Sequence, residues 1–268
     1  MNSPTAPAEH LLLLACDFTR HNDALTRTRP TGSNAATDLT HQAAFAQHLA
    51  DSALHIVDLL NAEPIYHSPA IRAVYARVRQ FAHLTADATD LLLGAVDLLD
   101  DTHAGIPVQD EGRLLTLLTY QQALDEADSR VTLVRNLTVL GAQDALTTAE
   151  LYVTERRRGV HPLPQPLPLS PAQNAVLRSV AQGEVTVTDD KPLVRRDNTR
   201  VSISTIRSLE SRGLVTREPC PLWLADERVH LTTDGCRGLA ATFGRPRPSV
   251  STTTRPASRP TTAHAATR

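Results

Sequence analysis

The chain has 268 residues, of which 41% are hydrophobic but only 3% aromatic, so its cores must be built from Leu, Val and Ala rather than from stacked rings. The net charge of −2 hides a division: residues 1–154 carry 9 Arg against 19 acids, and residues 155–268 carry 18 Lys and Arg against 10 acids. That length allows two domains, the charge reversal points to separate jobs, and three cysteines without a C-x-x-C spacing argue against a disulfide framework or a zinc knuckle. The apolar mix favours helices, and the fold class expected is mainly α: an N-terminal antiparallel helical bundle or long-helix array, followed by a smaller α+β region.

A first helix is expected from about Ala8 to Thr28, with Leu12, Leu13, Cys16 and Leu25 as buried candidates. Leu13-Leu14-Ala15-Cys16 looks like a lipoprotein cleavage box, but no Lys or Arg precedes it and the apolar run is too short for a membrane span. It reads as one face of the first helix. With no other membrane signal and with reduced cysteines, the expected location is cytoplasmic, or nucleoid-associated if the protein binds DNA. A second helix runs from Asp38 to about Ala62, with Phe45, Leu49, Ala53, Ile56 and Leu60 at spacings of three and four. His41, His48 and His55 recur on it every seven residues, roughly 10 Å apart, which is too far to share one metal ion. They read as a solvated or inter-helix stripe rather than a ligand set.

Ser68-Pro69 supplies an N-cap and an N1 proline for a third helix reaching about His103, with Ile71, Val74, Tyr75, Val78, Phe81, Leu92, Val96 and Leu99 on its apolar side. From Asp110 to about Arg158 no proline interrupts the pattern, and a fourth long helix is expected there. Leu117, Leu124 and Val131 repeat at seven, as do Tyr120, Ala127 and Val134, a heptad-like pattern that decays near Gly141 and suggests self-association through residues 1–158. Residues 159–169, GVHPLPQPLPL, cannot be helical and mark a spacer between a helical domain (1–158) and a second domain (170–243).

Ser170-Pro171-x-Gln173 opens the second domain with a capping box, Val176, Leu177 and Val180 form an apolar face, and Gly183 closes the helix. Residues 184–201 alternate at Val185 and Val187 and then meet Pro192, which predicts two short strands and a turn. Ser202 caps a further helix with Ile203, Ile206 and Leu209 turned inward, and Gly213 ends it. LVTRE and ERVHL (227–231) then read as strands, and TTDGCRGLAATF as a last helix. Residues 244–268 hold five Arg and no acid among Pro, Ser and Thr, and are read as a disordered basic tail.

The wording S-x-S-T-I-R-x-L-E-x-R-G-L-V (202–215) with V-x-L-T-x-x-G (229–235) resembles the MarR and PadR type of bacterial DNA-binding regulators. The resemblance covers residues 170–243 and implies a winged helix-turn-helix domain whose 202–212 helix enters the major groove of duplex DNA. The segment 184–201 departs from that family, because two short strands with a turn are read where a short second helix belongs: either a hairpin replaces that helix or a remnant of one turn is left. On this reading Ser202, Ser204, Thr205, Arg207, Ser208 and Ser211 face base edges and phosphates. Arg195, Arg196, Arg200 and Arg212 flank the helix, and Arg217 and Arg228 hold the wing. The alternative is a scaffold protein whose winged helix docks another protein, favoured if these arginines pair with Asp197, Glu210, Glu218 or Glu227. No phosphate loop, nucleophile elbow or metal-ligand cluster is legible, so an enzyme is the least favoured class and no cofactor is expected. Asp97, Asp100 and Asp101, like Asp125, Glu126 and Asp128, read as solvated helix surface. No ring of aromatic and polar residues marks a site for a small effector.

Overall fold

Leu11 to Cys16 is an almost unbroken apolar run, and the structure shows what it is for. The computed structural model describes residues 6–30, 34–64, 66, 68–109, 115–158, 168–194, 201–220 and 227–245. In it α1 (Ala6–Arg27) buries Leu11, Leu12, Leu14, Ala15, Cys16, Phe18, Thr19 and His21, which point in every direction around the helix. A helix that is apolar all round belongs inside a fold rather than on its surface. The sequence reading of this run as one face is therefore corrected: α1 is a central helix.

Around it the helices form an array. α2 (Ala35–Ala62) and α3 (Pro69–Ala104) pack along most of their lengths. Two apolar clusters fix their antiparallel sense. One joins Leu39, Ala43 and Ala46 of α2 to Leu92, Leu98 and Leu99 of α3, and the other joins Leu49, Ile56 and Leu60 to Ile71, Val74 and Val78. Ser68 caps α3 by accepting from the Ile71 N–H at 3.2 Å, with Pro69 at the first helical position, as its sequence indicates. His41, His48 and His55 are exposed, and the His55 ring also meets His10 of α1 edge-on at 5.2 Å, so the stripe is partly solvated and partly inter-helix.

The expected single helix from Asp110 to Arg158 is three elements. A short hairpin pairs β1 (Val108–Gln109) with β2 (Leu115–Thr116), and then come α4 (Tyr120–Thr138) and α5 (Gly141–Arg158). Two local causes explain the division. Thr119 and Gln122 form a capping box that starts α4 ten residues late. At its other end Asn22 donates to the Thr138 carbonyl at 3.0 Å, and Thr138 donates back to Asn22 Oδ1 at 2.6 Å. The chain then turns at Val139-Leu140 so that Gly141 can sit on the Phe18 ring, where a Cβ would lie 2.4 Å from ring carbons. The heptad positions Ala127, Val131 and Val134 are consumed within the chain, buried in the cluster α4 forms with α3. They are not an outward seam.

The C-terminal region is a mixed α+β unit with the general shape of a winged-helix arrangement. It contains α6 (Pro171–Ala181), β3 (Val185–Thr188), β4 (Lys191–Val194), α7 (Ile203–Ser211), β5 (Val215–Pro219), β6 (Glu227–Leu231) and α8 (Thr233–Ala240). Its antiparallel sheet has the order β4-β3-β6-β5. The hairpin expected in place of a second helix is present. β3 and β4 meet in a two-residue turn at Asp189 and Asp190, both at positive φ (47° and 58°), the backbone that such hairpins favour.

The boundary expected at 159–169 falls mostly outside the described residues, as do Asp197 and the tail beyond Arg245. On either side of it, however, one core is shared: α1, α5, α6, α8 and β6 pack together, with Phe18, Tyr152, Leu177, Leu239 and Phe243 in a single cluster. Arg157 donates to the Phe243 and Ala241 carbonyls at 2.5 and 2.8 Å, and Arg178 makes two bonds to Glu150 at 3.0 and 2.7 Å while lying over the Phe243 ring. Among the described residues no helix is long and apolar enough to cross a membrane.

Candidate nucleic-acid interface

α7 is placed by its buried side. Ile206 and Leu209 are fully buried and Ile203 packs against the same core, as the three-and-four spacing predicts. Ser202 caps the helix by accepting from the Thr205 N–H at 3.2 Å, and Gly213 ends it at φ 68°. The α7 segment therefore presents Ser202, Ser204, Arg207, Ser211 and Arg212 to solvent. Ser204, Arg207 and Ser211 lie three and four apart and share one face. The hydroxyls of Ser204 and Thr205 lie 2.8 and 2.9 Å from that of Ser202, which forms a tight polar cluster at the helix start. Ser208 turns the other way, accepting from Gln173 of α6 at 3.1 Å.

The arginines divide by environment. Arg207 is 59% exposed and meets Asp190 of the β3–β4 turn at 2.7 Å. An exposed pair of this kind is worth about 0–1 kcal/mol, so its guanidinium is free to leave. Arg212 donates to the Pro168 carbonyl at 3.2 Å and more weakly to Gln173 at 3.4 Å. Arg217 is held by three carboxylates: Glu210 at 2.6 Å, Glu227 at 3.2 Å and Asp190 at 3.4 Å. The Glu210 hydrogen bond, with those of Glu227 and Asp190, raises its already high pKa further.

Arg228 does not hold a wing. Its side chain is 3% exposed and grips both carboxylate oxygens of Asp23 on α1 at 2.7 Å, with a further bond to the Gly183 carbonyl. A buried guanidinium cannot reach a phosphate, so this expectation is corrected. Arg195, Arg196 and Arg200, and the Trp223 turn, lie outside the described residues.

Asp189 and Asp190 were passed over in the sequence, although a polar pair between alternating Val and Thr is a hairpin signal. The described cations around α7 are thus largely balanced by acids. Asp97, Asp100, Asp125, Glu126 and Asp128 are exposed helix surface, and among the described residues no group of three or more His, Cys, Asp or Glu is arranged for a metal ion. No protein-family model matches the chain, and neither a curated protein nor a solved structure matches it.

Proposed function

We propose that the protein is a non-enzymatic, DNA-binding regulator of the winged-helix type, meeting duplex DNA through the α7 helix and the hairpin beside it. One observation carries this reading. The outward face of α7 consists of hydroxyls and guanidiniums, and none of the large exposed apolar side chains lies on it. A helix that docks a protein partner needs buried apolar or aromatic anchors at its centre, whereas a groove-reading helix needs short donors and an arginine. In this reading Ser204 and Ser211 let the helix approach the backbone, and Arg207 exchanges Asp190 for a base edge. Arg195, Arg196, Arg200 and Arg212 contact phosphates. The helical array brings two copies together, and hence two half-sites.

Gel-shift titration with random genomic fragments at two salt concentrations tests this. Binding that weakens steeply with salt supports it. Absence of binding at low salt overturns it.

The pairing of Arg217 with Glu210 and Glu227 favours the second reading, a scaffold protein whose C-terminal unit docks a partner protein. A protein that retains no DNA but recovers a stoichiometric partner through α7 supports that alternative.

A further inference from the structure

Arg207 and the carboxylate that holds it are not equally free to move. Arg207 donates to Asp190 Oδ2 at 2.7 Å, and among the described residues it has no other partner. Asp190 has a second one. Its Oδ1 faces the Arg217 guanidinium at 3.4 Å, and Arg217 is fixed in turn by Glu210 at 2.6 and 3.1 Å and by Glu227 at 3.2 Å. The Asp190 backbone is fixed as well: it lies at φ 58° in the two-residue turn closed by the Thr188–Lys191 pair, behind which Val185 and Val187 are buried. Arg207, by contrast, is 59% exposed on a long, flexible side chain. Whatever displaces this pair therefore moves the arginine and leaves the carboxylate in place. One negative charge stays beside the outward face of α7.

We propose, resting on the DNA-binding reading above, that Asp190 is a specificity-determining residue: its fixed charge denies Arg207 a phosphate and reserves it for a guanine edge. The two kinds of acceptor that DNA offers respond differently to that charge. A phosphate taken by Arg207 brings a second anion to the Asp190 carboxylate just as the carboxylate loses its nearer cation. Arg207 then exchanges one anion for another, and the like charges repel, so little is gained. A guanine edge offers the same guanidinium two neutral acceptors, O6 and N7. It brings no charge to Asp190, and the carboxylate still attracts the arginine from nearby. Asp190 thus lowers affinity for a duplex met only through its backbone and spares a duplex that places guanine at Arg207.

The test uses the full chain in gel-shift titrations at two salt concentrations. The probes are a random-sequence duplex and a duplex enriched from a random pool on the wild-type protein. Asp190→Asn removes the charge and keeps the turn, because Asn also adopts positive φ in such hairpins. It should bind the random duplex up to about 5-fold more tightly, the most that an exposed ion pair withholds. Its salt slope should rise by about one, since one more phosphate is contacted. Affinity for the enriched duplex should change little, so the ratio between the two falls. Asp234→Asn opens an exposed pair with Arg237 on α8 and alters the net charge equally, yet should leave that ratio as it was. Asp190→Asn combined with Arg207→Ala should show no gain over Arg207→Ala alone. An unchanged ratio in Asp190→Asn overturns this proposal while wild-type binding leaves the DNA reading standing. An equal effect of Asp234→Asn, or a gain that persists without Arg207, overturns it in the same way. Absence of random-duplex binding at low salt by both wild type and Asp190→Asn overturns the DNA reading and this inference with it.

Discussion

Replacing Arg228 by Ala should cost the protein stability rather than DNA affinity, and the magnitude follows from the geometry. The guanidinium bonds both oxygens of Asp23 at 2.7 Å and also reaches the Gly183 carbonyl, joining α1, β6 and the turn after α6. The side chains are 3% and 13% exposed. Truncating Arg228 strands a largely buried carboxylate and a partly buried carbonyl together, a loss of up to about 3–5 kcal/mol. The exposed Arg207–Asp190 contact, at 59% and 54%, is worth at most about 1 kcal/mol, so the two sites differ enough to be told apart. Urea unfolding of the full chain, followed by circular dichroism, measures the loss. It should also show one transition for the helical array and the C-terminal unit, because Asp23 and Arg228 lie on opposite sides of the expected boundary. Changing both partners to apolar residues, Arg228→Met with Asp23→Leu, should recover most of the loss, since no charge is then left buried. A cost below about 1 kcal/mol refutes the reasoning. A variant of normal stability with weakened DNA binding refutes it more sharply, because it puts Arg228 on the DNA.

Further outcomes follow from other sites. Arg207→Ala should leave stability within about 0.5 kcal/mol of the parent and weaken binding to a preferred duplex by about 1–3 kcal/mol in gel shift; unchanged affinity at low salt removes α7 from the groove. His21 is fully buried, neither ring nitrogen has a partner, and burial lowers its pKa to about 4. The unfolded chain therefore takes up this proton first as the pH falls through about 6.5, and stability drops by up to about 1.4 kcal/mol per pH unit between there and pH 4. His21→Phe should flatten that slope in urea melts at pH 5 and pH 7, and an unchanged slope assigns it to other groups. Gly141→Ala should destabilise by roughly 1–3 kcal/mol, because its Cβ would meet the Phe18 ring; a neutral result in thermal melts means that α5 can shift. Leu133, Val139 and Leu140 are about half exposed at the end of α4 and the turn after it. Sedimentation of the full chain at tens of micromolar should give a dimer, and a monomer removes the two-half-site arrangement.

Side chains with local partners were legible in the sequence, and those with distant partners were not. Ser68, Ser170 and Ser202 each accept from a backbone N–H three residues on, so three helix starts could be read from a few letters. Positions 203, 206 and 209 of α7 were legible for the same reason, because helical spacing alone turns them to one side. Arg228 was misread because its partner lies 205 residues away on α1, and nothing in ERVHL distinguishes an arginine facing water from one facing Asp23. The break at Val139-Leu140 carries no proline, so in the sequence it shows only as a decay of the heptad pattern near Gly141. It is set by Asn22 at the end of α4 and by the Phe18 ring against Gly141, both contributions of α1.

The common factor in these failures is α1. Its apolar residues were sorted into one face because an amphipathic surface helix is the usual reading of such spacing. Yet the run Leu11-Leu12-Leu13-Leu14-Ala15-Cys16 has no polar position at all, which a one-sided helix has no reason to contain. Once α1 is placed at the centre, the other elements acquire a reason for their positions. α2 packs on it directly, α5 begins at Gly141 to meet Phe18, and α8 packs against it as well. The sheet is fastened to it by Arg20–Glu218 and Asp23–Arg228. The charge division of the sequence, acidic before and basic after residue 154, does not coincide with a break in the buried cluster, which takes side chains from both halves. In part it reflects ion pairs between the halves: N-terminal acids receive C-terminal arginines at Asp23–Arg228 on α1 and at Glu150–Arg178 between α5 and α6, although Arg20–Glu218 runs the other way. A basic half whose arginines are partly spent in this way has less positive charge for DNA than its composition suggests, so the proposed binding would have to rest on α7 and the arginines flanking it.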